Sequence, residues 1–285
     1  MWLKTCFRQV MFMVGLSGDI ETDSSVREED DVFQDIVIAS YMDSYHNLSY
    51  KALTAMHWLK TYCTTPQHII HFDDNMVVNI FKLVKYLDIR LEKKLAKTSL
   101  LSAEKSINKN ISVNSSRAEN ISNTFHGTND KQNLSTISNK AEGTHSKPTL
   151  HFIGSMDCHD YTAARVKRDT TSKWYVSEEE YPHEFYPQYC FGGAFIMDVE
   201  VVPLLLEASL DSPTFVWVDD CYLTGVLREI CEISINSISS MYIFDNNLFN
   251  KSMIEGDKMF LHDPVHDLNI IKAMWEDLLV KEQQI

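Results

Sequence analysis

Short apolar runs recur along this chain, each too brief for a helix, and longer stretches with helical spacing separate them. QVMFMVG (9–15), DIVIASY (35–41), HIIHF (68–72), YCFGGAFIMD (189–198), TFVWV (214–218) and KMFLH (258–262) read as buried strands. Between them, residues 48–62 place Leu48, Ala52, Ala55, Leu59 and Tyr62 at helical spacing. Helices are also predicted for MVVNIFKLVKYL (76–87), VEVVPLLLEASL, DCYLTGVLREI and a last segment ending near Lys281. A β-α-β-α order of this kind constrains the chain to an α/β sheet with helices on its faces.

One stretch breaks the pattern. Residues 93–149 are rich in Ser, Asn, Lys and Thr and hold a single aromatic, Phe125. Nine Lys and Arg against four Asp and Glu give this stretch a net charge of +5. So few large apolar groups cannot offset the entropy of ordering the backbone. A disordered peripheral insertion is predicted over about 105–148, after a short helical extension through LEKKLAKTSLLSAEKS. The chain then divides into 1–92, the insertion at 93–149, and 150–285.

The 285 residues carry a formal net charge of −14. An acidic chain repels phosphate backbones, which argues against a nucleic-acid partner. It suits a ligand that is neutral or that arrives with a metal cation. The N-terminal MWLKTCFRQVMFMVGL is apolar but is broken by Lys4 and Arg8. It falls short of the ~20 apolar residues a membrane span needs, and it shows no signal-peptide cleavage pattern. Six cysteines include no C-x-x-C pair; the even number permits disulfides without assigning them. Six N-x-S/T triplets, four of them in the Asn/Ser-rich stretch, are compatible with a secretory route.

Four segments carry chemistry. In HIIHFDDNMVVN a strand ends in Asp73, Asp74 and Asn75. Ligands of open α/β sheets bind outside the carboxyl ends of strands, and acidic groups there can hold a divalent cation against a diphosphate. The alternative is that Asp74 and Asn75 cap the following helix. In FVWVDDCYLTG a second aromatic-rich run ends in Asp219 and Asp220, where a carboxylate can take a proton from an attacking hydroxyl or can serve as an N-cap. KWYVSEEEYPHEFYPQYCFGGAF gathers Trp174, Tyr175, Tyr181, Phe185, Tyr186 and Tyr189 before Gly192 and Gly193. Such rings either wall a sugar site or pack as a core-facing loop. In FLHDPVHDLNIIKAMW, His262 and His266 are four apart, but Pro264 between them argues against a zinc pair on one helix. His262, at a strand end, is the better ligand candidate, and a metal-dependent hydrolase is disfavoured.

Taken in series, these segments resemble the β-1,3-galactosyltransferase family, which includes β-1,3-N-acetylglucosaminyltransferases and the Fringe enzymes. DIVIASYMDSYHNLSYKALTAMHWLKTYC is similar to the family's D-I-x-x-x-x-[FY]-x-D-x-Y-x-N-L-[TS]-x-K segment, with Asp43, Tyr45, Asn47, Leu48, Lys51, Trp58 and Cys63 in place. HFDDNMVVN resembles K-x-D-D-D-x-F-V-N, and the aromatic block resembles K-W-x-V-S…Y-P…Y-P-x-Y-C-x-G-G. VDDCYLTG is similar to the E-D-V segment and its Fringe D-D-C version, and FLH with Trp275 to the C-terminal segment. The likeness covers most of 9–92 and 150–280, in order.

The resemblance implies a GT-A fold, with a mixed, mostly parallel central sheet and helices on both faces. It implies inverting transfer of a hexose, most often galactose, from a UDP-sugar to the 3-hydroxyl of an acceptor glycan on a glycoprotein or glycolipid, assisted by Mn²⁺. On this analogy residues 1–92 form the nucleotide-sugar half and 150–285 the acceptor and catalytic half. Asp73 and Asp74 line the nucleotide, and Asn75 and His262 hold the metal. Asp220 is the general base with Asp219 beside it, and Trp174, Tyr181, Gly192 and Gly193 shape the sugar site. Two features depart from the pattern. Asn75 stands where the family has a third Asp, which lowers the expected metal affinity. The upstream R-x-x-I-R-x-T-W segment survives only as MWLKT, so the chain is expected to be either N-terminally incomplete, with a type II Golgi membrane anchor lost upstream, or impaired in donor binding. A family member with impaired catalysis, serving as a glycan- or protein-binding module, is the alternative.

Overall fold

The computed structural model describes residues 10–63, 65–96, 99–100, 154–244, 249–262 and 268–282. Two units are distinguished, Met1–Lys85 with Phe152–Ile285, and Tyr86–His151. The second unit is described at 86–96 and 99–100, which are helical, in keeping with the extension read there. The insertion expected over 105–148 lies outside the described residues.

The first unit opens with β1 (Phe12–Leu16), α1 (Ile20–Phe33) and β2 (Ile36–Met42), and β1 pairs with β2 in parallel. Helix α1 escapes hydrophobic periodicity because it buries no residue. Its ends hold it instead. The Asp19 carboxylate accepts the Thr22 N–H at 2.9 Å, and Gln34 closes the helix at φ 54°. After a 3₁₀ turn at Tyr45–Asn47 comes α2 (Leu48–Tyr62), which matches the periodicity.

Next are β3 (His68–Phe72) and β4 (Met76–Val78), and a helix, α3, opens at residue 80. The helix expected from residue 76 is therefore corrected. Met76, Val77 and Val78 pair antiparallel with β9 (Phe260–His262), a partner distant in sequence that outweighs local helix spacing. Asn79 then caps α3, its Oδ1 accepting the Lys82 N–H at 3.1 Å.

The chain returns with β5 (Ser155–Tyr161) and β6 (Tyr189–Asp198), then α4 (Val202–Asp211). A π-helix (Asp220–Leu227) runs into the short α5 (Arg228–Ile230). Strands β7 (Ser234–Ser237) and β8 (Tyr242–Ile243), helix α6 (Phe249–Ile254), β9 and α7 (Leu268–Glu282) complete it. The sheets run β3-β6-β5-β7 and β4-β9-β8. Antiparallel β3–β6, β5–β6 and β4–β9 pairings match the parallel β1–β2, β5–β7 and β8–β9 pairings in number. The architecture is α/β, but the sheets are mixed rather than mostly parallel. Apolar runs show that a strand is buried, not which way its neighbours run.

The segment TFVWV is also corrected. Residues 214–218 form no strand. Val216, Trp217 and Val218 are buried; the Val218 carbonyl accepts the Tyr222 N–H at 2.9 Å, and α2 supplies partners for the other two carbonyls. Ser49 Oγ donates to the Val216 carbonyl at 2.5 Å, and the Ser49 N–H donates to the Trp217 carbonyl at 3.3 Å. A helix N-terminus has amide groups to spare, and here they satisfy what a neighbouring strand would. The main core packs Met156, Phe195 and Met197 with Leu205, Trp217 and Leu227. Burying each such side chain contributes about 1.5–3 kcal/mol, and this core fixes the position of Asp219 just beyond Val218.

Candidate active site

The site is built on a distortion of β6. Cys158 pairs with Phe195 and Asp160 with Cys190, so β6 runs Phe191, Gly192, Gly193 and Ala194 past His159 alone on β5. The surplus bulges, and bulges re-aim strands beside functional sites. Two glycines make close approach possible here. A Cβ on Gly192 would sit 3.0 Å from Asp220 Oδ2, and one on Gly193 would sit 3.0 Å from Met76 Sδ. The Asp73 N–H donates to the Gly193 carbonyl at 2.9 Å. The β3 end and the start of the π-helix thus meet on adjacent residues of one bulge.

His71 joins the two acidic ends. Its Nε2 lies 3.5 Å from Asp73 Oδ1, and its ring stacks on Phe195 with centroids 4.7 Å apart. Burial opposes its charged form, but Asp73 and Asp219 outweigh that and hold its pKa above the ordinary value. Burial raises Asp219, with His71 pulling it back and Asp73 adding to the rise. Asp220 is pushed up to about 7 by burial and by Asp219, against the Cys221 N–H that donates to its Oδ1 at 2.7 Å. A half-buried carboxylate poised there can exchange a proton near neutral pH.

The turn after β3 places the other candidates. The Met76 N–H donates to the Asp73 carbonyl at 3.1 Å, and Met76 pairs with His262 across β4–β9. That register sets Asn75 Nδ2 3.3 Å from His262 Nε2. Asn75 Oδ1 is buried with no hydrogen-bond partner among the described residues. Turning the amide over would bring its oxygen to the place Nδ2 holds beside His262 Nε2, and an amide oxygen and an imidazole nitrogen so placed suit a divalent cation whose other ligands are water and diphosphate oxygens. Among the described residues, no group of three His, Cys, Asp or Glu side chains is arranged to hold a metal. The amide and the imidazole therefore carry the fit. The cap reading of Asp74 and Asn75 does not hold, since Asn79 caps α3. Asp74 is exposed at the tip of the turn.

The aromatic candidates divide. Trp174 stacks on Trp217 at 5.8 Å, meets Tyr45 edge-on at 5.8 Å and carries Lys173 Nζ 4.8 Å above its ring. Trp217 lies two residues before Asp219, which brings Trp174 toward the carboxylates. Tyr181 is 4% exposed, its ring packed by Tyr186 and His183 and its hydroxyl 3.3 Å from the Phe185 carbonyl. It supports the loop from within, as the core-facing reading has it. A cleft of about 510 Å³ lined by Arg165, Arg168, Glu178 and Glu184 runs along that loop and shares none of the site residues.

A sequence model of the galactosyltransferase family matches residues 5–128 and 143–239. The chain belongs to the galactosyltransferase family. Beta-1,3-galactosyltransferase 1 of mouse and its human counterpart are each 23% identical over 240 residues, covering 84% of this chain and 53% of theirs. A zebrafish lactosylceramide 1,3-N-acetyl-beta-D-glucosaminyltransferase B is 23% identical over 230 residues, covering 79% of this chain and 45% of its own. The chain spans about half the length of the curated relatives it matches.

The family match ends before β9, so His262 reaches the site through the β4–β9 pairing rather than through the matched segments. Other parts of the candidate site were not legible in the sequence. His71 carried one signal, a titratable residue two positions before a strand-end carboxylate. Phe191, 5.5 Å from the His262 ring and 5.1 Å from Phe244, carried none. The buried Cys158–Cys190 disulfide beside the bulge could not be paired from spacing.

Proposed function

We propose that this chain is the catalytic part of a GT-A-type β-1,3-glycosyltransferase. It moves a hexose, galactose by preference, from a UDP-sugar to the 3-hydroxyl of an acceptor glycan with inversion. The observation that carries this reading is the meeting of Asp73 and of Asp219–Asp220 on the Gly192–Gly193 bulge. A nucleotide-sugar site needs carboxylates on the donor side and a base on the acceptor side within one cleft.

In this mechanism the Asp220 carboxylate takes the proton of the acceptor hydroxyl. The hydroxyl oxygen forms its bond to the anomeric carbon from the face opposite the diphosphate. The bond from that carbon to the β-phosphate oxygen breaks, and UDP leaves with the electron pair. Asp219 and His71 orient Asp220 and Asp73, Asp73 and Asp74 face the nucleotide, and Trp174 presents an aromatic face toward the acceptor. Asn75 and His262 would hold a divalent cation such as Mn²⁺, whose chemistry is to stabilise the charge on the departing diphosphate.

The buried Cys158–Cys190 disulfide supports an oxidising compartment, and we assign the domain to the Golgi lumen. The acceptor is a glycoprotein or glycolipid glycan, with no nucleic acid involved. Asn75 favours a second reading, a binding module with weak catalysis, because a neutral amide holds a cation less firmly than a carboxylate does. A panel of UDP-sugars assayed with Mn²⁺, alongside calorimetric titration with UDP, separates the two. Transfer that is lost in Asp220→Asn supports the enzyme. UDP or glycan binding without transfer from any donor supports the module.

A further inference from the structure

We infer that Thr224 is the positioning residue of the Asp220 carboxylate: its hydroxyl ties the Asp220 carbonyl to the backbone of Cys190 and so sets the carboxylate against Gly192. The inference rests on Asp220 acting as the base. Thr224 is fully buried in the π-helix. Its Oγ1 donates to the Asp220 carbonyl at 2.6 Å and accepts the Cys190 N–H at 2.8 Å. Threonine hydroxyls often bond the carbonyl one turn back in a helix. That local habit requires no second partner, and here the second partner is strand β6 itself.

The second bond determines the geometry of the site. Cys190 is the last residue of β6 paired with β5 before the Phe191–Ala194 bulge, and its side chain is disulfide-bonded to Cys158. It is therefore a fixed point. Gly192 lies two residues further on and touches the Asp220 carboxylate. One hydroxyl thus measures the spacing between the residue that would take the proton and the bulge that shapes the cleft around it. Gly225, next in the π-helix, would bring a Cβ 3.1 Å from Tyr189 Cβ, so helix and strand are already in close contact on that side. π-Helical turns are frequent at functional sites, and this one places both Asp220 and Thr224 on β6.

The test compares Thr224→Val, which keeps the shape and removes the hydroxyl, with Thr224→Ser, which keeps the hydroxyl. In the transfer assay Thr224→Val is expected to lower kcat on the order of 10–100-fold, with donor KM nearly unchanged. It is also expected to displace the pH midpoint of kcat, and Thr224→Ser is expected to restore both. The titration of the Asp220 carboxyl, followed by ¹³C NMR and assigned with Asp220→Asn, reads the same displacement without any turnover. An inactive wild type therefore overturns the functional reading and leaves the positioning claim decided by the NMR midpoint. A Thr224→Val protein with wild-type kcat and wild-type midpoints overturns the inference. So does equal thermal destabilisation of both variants with unmoved midpoints. If the valine variant does not fold, Thr224→Ala supplies the same comparison.

Discussion

Gly192 lies against the carboxylate of Asp220 so closely that a single added carbon would stand 3.0 Å from Oδ2 and 3.1 Å from Cβ. The glycine makes room for the acid. Two segments separated by 28 positions in sequence share one cavity wall, because β6 bulges at the point where the π-helix begins.

Gly192→Ala is therefore expected to push the carboxylate off its position. The added methyl meets the rigid base of a short side chain, with no flexible end to give way. Transfer should fall by about 10-fold or more while UDP affinity, measured by calorimetry, changes little. Unaltered kcat would mean that the Asp220 position has no bearing on turnover.

Asp220→Asn removes the proton acceptor. Loss of a general base costs about 10²–10⁴-fold in rate, and the initial rate of sugar transfer measures it. The same change should stabilise the fold. Burial and the neighbouring Asp219 push Asp220 up to about 7 in the folded chain, above the ordinary aspartate value of about 4, so the native state binds the proton more tightly than the unfolded state. Stability from this group is therefore greatest at low pH, declines as pH rises between about 4 and 7, and stays at its lowest above 7. The asparagine variant should gain on the order of 1–3 kcal/mol at pH 8 and nothing below pH 4, as read by urea unfolding at the two pH values.

Transfer by the wild type should rise through a single ionisation near pH 7, since the base acts only when its proton is off. A pH profile of kcat measures this. A midpoint near 4 would show a solvated carboxylate doing the work.

Asn75→Asp puts a charged carboxylate where an amide now sets its nitrogen 3.3 Å from His262 Nε2 and leaves its oxygen without a hydrogen-bond partner among the described residues. Mn²⁺ affinity in the presence of UDP should tighten by about tenfold, measured by calorimetry. Unchanged affinity would remove Asn75 as a ligand.

Replacing both Cys158 and Cys190 with alanine opens a loop whose ends are 32 residues apart in sequence. On a chain-entropy estimate the loss is about 3–4 kcal/mol, and denaturant unfolding reads it. Activity should fall with it, because Cys190 anchors the bulge.

Much of the fold was legible because its signals are local. Helix α2 and strands β3 and β6 fall where periodicity predicts them. Helix α1 did not show, because a helix held by its caps with no buried face leaves no apolar period. Met76–Val78 and residues 214–218 were misread for opposite reasons. The first found a strand partner almost two hundred residues away, and the second found a helix N-terminus where a strand was expected. The strand-end carboxylates were legible as residue types at particular places. Their neighbours His71, Thr224 and Phe191 were not, because a side chain's role depends on which backbone it meets.

The sequence by itself determined the alternation of strands and helices, the two acidic ends, the aromatic block and the family likeness. Each of these is written in spacing along one segment. Only the tertiary structure decided that Asp73 and Asp220 share a bulge, that Asn75 faces His262, and that Thr224 joins helix to strand. These depend on pairing register across long separations, where one residue of slip would turn every side chain to the opposite face. Contacts among distant segments set that register, and no local pattern encodes it.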